Sequence, residues 1–249
     1  MRKITVYNDE DFACMRKAGK LAAHILDYIE PFVKPGITTG ELNDLCHEEI
    51  VKHGAIPAPL NYMGFPKSIC TSVNDVVCHG IPSYTQKLNE GDIINIDVTV
   101  ILDGWHGDTS RTFPVGQISP NAQKLIDVTY DAMMSAIQIL RPGIRLGDIG
   151  EVIKKITRKH RFSIVRDYCG HGIGREFHED PTVLHHAKAG TGPLLQKGNI
   201  FTIEPMINIG DYGVRVLKDG WTAVTADGSL SAQFEHTVGI TEDGFEIFT

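Results

Sequence analysis

The stretch LNEGDIINIDVTVIL, Leu88–Leu102, ends in ten residues that are β-branched or apolar except for Asn95 and Asp97. Such a run reads as a buried strand. A carboxylate inside it is costly unless something pairs with it or neutralises it. Asp97 therefore calls for a partner. The same pattern returns later in the chain: LNEGDIINID (88–97) matches LQKGNIFTIE (195–204), and KPGITTGEL (34–42) matches RPGIRLGDI (141–149). Both pairs share one offset, 107 residues (88 to 195, 34 to 141). Internal repeats decide architecture before local propensity does. The implied unit is helix, Pro-Gly turn, helix, loop and strands, used twice. The expected fold is α+β, one sheet covered by helices. No linker-like composition separates the halves, so residues 1–249 read as a single domain with half-repeats of about 1–115 and 116–249.

The offset also maps Asp97 onto Glu204. Two acids at equivalent places in two halves imply a meeting across a pseudo-twofold axis. Asp103-Gly104 is a hairpin turn pair, and the return strand WHGDTSRTF carries Asp108. This reading places Asp97 and Asp108 nearly opposite, with Cβ atoms about 5 Å apart. Two like charges at that distance need a proton or a cation between them. Carboxylates can bridge paired metals about 3.5–4 Å apart. Glu204 in IFTIEP and Glu235 in SAQFEHTVGI bring the carboxylates to four, which two divalent cations would balance. The loop CGHGIGREFHEDP (169–181) offers His171 and His178, and CHGIP offers His79. Spacing alone leaves each of the three open between metal ligand and substrate contact. Taken singly, a strand acid or a loop histidine is more often structural, and KKITRKHR (154–161) reads as a solvated helix face. The combination points to a di-metal site.

Around this centre the chain punctuates itself. Asn8 or Asp9 can cap a helix running toward Pro31; Thr38 and Glu41 have capping-box spacing, and Gly54 can stop the second helix. Helices are expected over roughly 119–140 and 146–160, a loop over 55–66, and strands from Ile164 onward, with turn pairs Asp227-Gly228 and Asp243-Gly244. Hydrophobic residues make up 42% and charged residues 22% of the chain, as in ordinary globular proteins. A net charge of −7 argues against DNA or general nucleic-acid binding. MRKITVYNDEDF lacks the apolar core of a signal peptide, and no apolar run is long enough to span a membrane. Five scattered cysteines without a CxxC suit a reduced, cytoplasmic setting.

In order, HGIP, NIDVTVILDGWHGDTSRTF, GHGIGREFHEDP, TIEPM and QFEHT resemble the type I methionine aminopeptidases, the short bacterial-like form within the pita-bread metallopeptidases of family M24. The resemblance covers essentially the whole chain. It implies five metal ligands: Asp97, Asp108, His171, Glu204 and Glu235. Asp97 and Asp108 would share one site, Asp108 and Glu235 would bridge to the second, and His171 and Glu204 would complete the other side. His79 and His178 would face the substrate, which resolves what spacing left open. The methionine pocket would be lined by Tyr62, Phe65, Cys70, Phe177 and Trp221, together with these two histidines. Met63, Phe65 and Pro59 depart from residues common in the family, His, Tyr and Cys, at the pocket rim.

The implied reaction removes the N-terminal methionine from nascent proteins, preferring a small second residue, through a metal-activated water. Glu204 would relay the proton, His178 would stabilise the carbonyl oxygen, and His79 would orient the substrate nitrogen. The implied cofactors are two divalent ions among Co, Mn, Fe(II) and Zn. The expected state is a cytoplasmic monomer making transient ribosome contact. Two other readings stand beside it: a non-catalytic pita-bread binding protein, and a proline-type aminopeptidase of the same fold.

Overall fold

The computed structural model describes residues 4–249. Its four long helices follow from local signals. Helix α1 (Asp9–Ile29) starts at Asn8, whose side chain accepts the N–H groups of Glu10 and Asp11 while Asp11 caps the Asn8 N–H in return. Helix α2 (Thr39–Lys52) carries the same box between Thr38 and Glu41. Helix α3 (Pro120–Gln138) is capped by Ser119, and α4 (Leu146–His160) begins where the Arg145 N–H donates to Asp148. Each such cap is worth about 1 kcal/mol. On α1, Met15, Ala18, Ala22, Ile25 and Ile29 are buried at helical spacing. Leu21, Ala22, Ile25, Leu26 and Ile29 meet Ile94, Ile96, Val98 and Val100 in the first-half core. The second half has a separate core in which α3 and α4 cover Phe201, Ile203 and Val238. Burying one such aliphatic or aromatic side chain contributes about 1.5–3 kcal/mol.

The main sheet is antiparallel throughout. In spatial order its strands are Ile56–Pro57, Ile93–Leu102, Trp105–Pro114, Glu235–Ile240, Ile200–Ile203, Gly170–Gly172 and Glu179–Val183. Cys70–Val73 also pairs with Ile93–Leu102, and Phe245–Ile247 with Glu235–Ile240. The two halves of the chain meet where Glu235 faces Ser110 and His236 faces Thr109.

The repeat read from sequence has physical counterparts. The Gly36 N–H donates to the Leu88 carbonyl at 2.8 Å, and the Gly143 N–H to Leu195 at 2.9 Å. Thr38 bridges Lys87, and Arg145 bridges Leu194. Gly36 and Gly143 take φ of 95° and 89°, Gly91 and Gly198 take 92° and 89°. Only glycine adopts such values at little cost, so the repeated Pro-Gly and charged-Gly pairs encode equivalent turns.

Two expectations change. The hairpin turn at Asp103 (φ 52°) and Gly104 (φ 77°) makes Leu102 face Trp105. That register puts Asp97 opposite Ser110 and Asp108 opposite Thr99. Asp97 and Asp108 are therefore diagonal neighbours on one face, not directly opposed. The expected loop over 55–66 contains a short strand, Ile56–Pro57, and a 3-10 turn, Tyr62–Gly64. Asp227-Gly228 lies at a turn, as expected, with Gly228 at φ 74°; it joins Ala223–Thr225 and Ser231–Gln233, which belong to different small sheets. Among the described residues no helix is long and apolar enough to cross a membrane.

Candidate metal centre

Strand register assembles the acids. Asp97 faces Cys70 on one side and Ser110 on the other, and Ser110 in turn faces Glu235. Directly paired residues share a face, as do residues two apart along a strand. Asp97, Ser110, Glu235 and Asp108 thus point the same way. Beyond the last paired residues, His236 and Ile203, the next step brings Glu235 toward Glu204. His171 arrives from the adjoining Gly170–Gly172 strand. A side chain at Gly170 would run into the Thr202 carbonyl, and one at Gly172 into that of Asp180. The glycines flanking His171 therefore permit close strand approach.

The resulting geometry is tight. His171 Nε2 lies 3.6 Å from Asp108 Oδ2 and 3.5 Å from Glu204 Oε1. Donor atoms of Asp108, His171 and Glu235 all fall within 4.8 Å of one another. His171 Nδ1 lies 3.0 Å from the Gly172 carbonyl. A carbonyl can only accept, so Nδ1 carries the proton and Nε2 keeps a free lone pair for a metal. Thr99 donates to Asp108 Oδ1 at 2.7 Å, Thr202 to Glu204 Oε1 at 2.7 Å, and Gln233 to Glu204 Oε2 at 3.3 Å. The Glu204 N–H donates to Nε2 of the buried His185 at 3.1 Å.

Burial raises the pKa of all four carboxyls above the usual range. Asp97 pushes Asp108 up further, and Asp108 and Glu204 do the same to Glu235. Burial, helped by nearby His178, drives His171 down to about 3, so its imidazole is neutral at pH 7. Desolvation is the largest influence on it. Among the described residues no lysine or arginine forms an ion pair with any of the four acids. Convergent buried carboxylates, one neutral imidazole and no compensating side-chain cation make a donor set that fits divalent metal.

These acids form the floor of a cavity of about 410 Å³. All twelve residues singled out in the sequence line it. The walls are aromatic: Tyr62 against Phe177 (ring centroids 4.9 Å apart) and Phe65 edge-on to Trp221 (5.2 Å). His178 stacks on Phe177 and shares a 2.8 Å hydrogen bond with the Tyr62 hydroxyl. His79 takes a left-handed φ of 56° and sets its ring edge-on to Tyr168 and Trp221. Pro59 and Met63 also line it, Met63 being strongly exposed at the rim. Sequence reasoning missed Thr99, Thr202, Gln233, His185, Tyr168 and Met206. Period-2 spacing could have found Thr99, Thr202, Met206 and Gln233, each two residues from a candidate ligand. His185 and Tyr168 come from other segments and carry no such signal.

A curled antiparallel sheet that cups a carboxylate-rich centre under an aromatic pocket defines a metallopeptidase of the pita-bread type. The model of metallopeptidase family M24 matches residues 13–242, and the chain belongs to that family. It is 60% identical over 247 residues to a methionine aminopeptidase of Rickettsia prowazekii, covering 99% of this chain and 95% of that protein. The crystal structure of methionine aminopeptidase from that organism superposes with a TM-score of 0.98 over 99% of this chain and all of the other. An X-Pro aminopeptidase from Thermotoga maritima, 20% identical with a TM-score of 0.77, covers 98% of this chain and 61% of its own and shares the fold. The family uses divalent metal.

Proposed function

We propose that this protein removes the N-terminal methionine from polypeptides by metal-dependent hydrolysis, in one catalytic domain built from halves of about 1–115 and 116–249. The supporting observation is the junction of a buried, cation-demanding acid floor with aromatic walls in one cavity. Asp97, Asp108, His171, Glu204 and Glu235 would hold two divalent ions among Co, Mn, Fe(II) and Zn. Such ions supply a water acidified toward neutral pH and polarise a carbonyl.

The chain's own residues do the rest. Tyr62, Phe65, Cys70, Phe177 and Trp221 take the thioether side chain, an apolar, polarisable group suited to aromatic and sulfur neighbours. Glu204 accepts the proton of the attacking water and returns it to the leaving amine. Hydrogen bonds to both its oxygens aim it for this. In the tautomer this role needs, His178 Nδ1 accepts from the Tyr62 hydroxyl with which it shares a hydrogen bond, and Nε2–H stabilises the carbonyl oxygen as it gains charge. His79, fixed between Tyr168 and Trp221, orients the substrate nitrogen. A crowded rim favours a small second residue by steric exclusion.

The test is amino-acid release from Met-Ala, Met-Lys, Leu-Ala and Ala-Pro peptides after loading with each metal. Met-Ala cleavage should dominate. Efficient Ala-Pro cleavage would install the proline-type reading instead, and no cleavage with any metal the non-catalytic one. The same proposal places the protein in the cytoplasm as a monomer acting on nascent chains. Lys154, Lys155, Arg158 and Lys159 on α4 would make the transient ribosome contact, the last three being exposed and Lys154 paired with Glu151. Neutralising them should abolish salt-sensitive co-sedimentation with ribosomes.

A further inference from the structure

Away from the pocket, α1 and α2 bring together His24, Glu49 and His53. Glu49 is nearly buried, whereas the His24 and His53 side chains are 48% and 38% exposed. Glu49 Oε1 lies 3.3 Å from His24 Nε2 and 3.5 Å from His53 Nδ1. The two imidazole centroids are 5.0 Å apart, and one donor atom from each of the three residues falls within 4.8 Å of the others. With zinc–nitrogen and zinc–oxygen bonds of about 2.0–2.2 Å, the edges of a tetrahedral donor set are about 3.3–3.5 Å. Two edges already have that length.

The donors stand on a rigid base. Leu21, Ala22 and Ile25 of α1 and Cys46 and Ile50 of α2 share the first-half core directly beneath them. Glu49 and His53 are four residues apart, hence on one helix face. Lys52 Nζ holds Glu49 Oε2 at 2.8 Å, which fixes the carboxylate and leaves Oε1 to the imidazoles. The lysine charge opposes a hard cation bound by charge alone. It favours ions that gain from nitrogen coordination, zinc and its neighbours over magnesium or calcium. His53 Nδ1 also donates to the Glu49 carbonyl at 2.9 Å, by the same rule as at His171, and gives up that proton when it binds a metal. That carbonyl keeps the His53 backbone N–H as a partner if the ring nitrogen turns to a metal.

We propose that His24, Glu49 and His53 form a second, surface-facing site for a zinc-class divalent ion, which fastens α1 to the end of α2. The test uses zinc alone on the full chain. Equilibrium dialysis should show the unaltered protein retaining about one zinc more than the H24N/H53N double variant. Met-Ala cleavage by that variant should be unchanged, showing that it is folded. Zinc titration of the unaltered protein, followed by imidazole NMR, should move the His24 and His53 signals together, so the inference does not depend on the variant folding. Equal zinc retention by a folded variant, or imidazole signals that stay still at saturating zinc, would overturn it.

Discussion

Asp97 and Glu204 occupy the same place in the two halves, yet their surroundings differ. Asp97 sits in mid-strand between Cys70 and Ser110, and no hydrogen bond reaches its carboxylate among the described residues. Glu204 lies just past its strand and is held at three points, by Thr202, Gln233 and His185. Both acids are driven toward the protonated state by burial. Only one, however, is aimed by protein donors. Duplication delivers two carboxylates to one floor, and the neighbours then separate an acid open to cations from one oriented to carry a proton.

The comparison breaks first at Asp97. The Asp97→Ala variant should lose both metal and Met-Ala cleavage, read by metal analysis and peptide assay; near-normal turnover would remove Asp97 from the centre. Glu204→Gln keeps the shape and the Thr202 contact but cannot take a proton. It should lower kcat by about 10²–10⁴-fold. Equal metal loss in both variants would erase the proposed division of labour. Thr202→Val and Thr99→Val each remove one donor to a carboxylate, and should cost about 10–100-fold in metal affinity or activity. If Thr202→Val left kcat untouched, the orienting role of its hydroxyl would fall.

The smallest expected effect is on stability. The carboxyls of the metal-free protein have folded pKa values above those of the unfolded chain. The native state therefore binds more protons above about pH 4.5, and its stability falls as pH rises. His171, lowered to about 3, acts with the opposite sign, but only below its unfolded value of about 6.5. Between about pH 6.5, above which the histidine no longer contributes, and the folded Asp97 value of about 7, the carboxyls alone set the slope. The metal-free melting temperature should drop across that interval by about 2–4 °C for each kcal/mol lost, and the metal-loaded protein should drop less. A flat metal-free profile would mean that the acids are not held protonated.

Much of this was legible in the chain. Helix caps, the Asp103-Gly104 hairpin and the 107-residue offset are local or self-referential signals, and they located the halves and the acids. The hairpin register was misjudged by one diagonal step, since a turn pair fixes the partners only once its own two residues are counted out of the ladder. Periodicity cannot report a pairing such as Glu235 with Ser110, formed between distant strands only when the sheet closes. For the same reason His185 carried no mark, and the approach of His24 on α1 to Glu49 and His53 on α2 was invisible. The sequence by itself determined which residue types sit at equivalent positions and where the backbone must turn. Tertiary structure alone decided which acids are desolvated, which oxygens already have donors and which stay open, because burial and hydrogen-bond geometry depend on neighbours that chain order does not bring close.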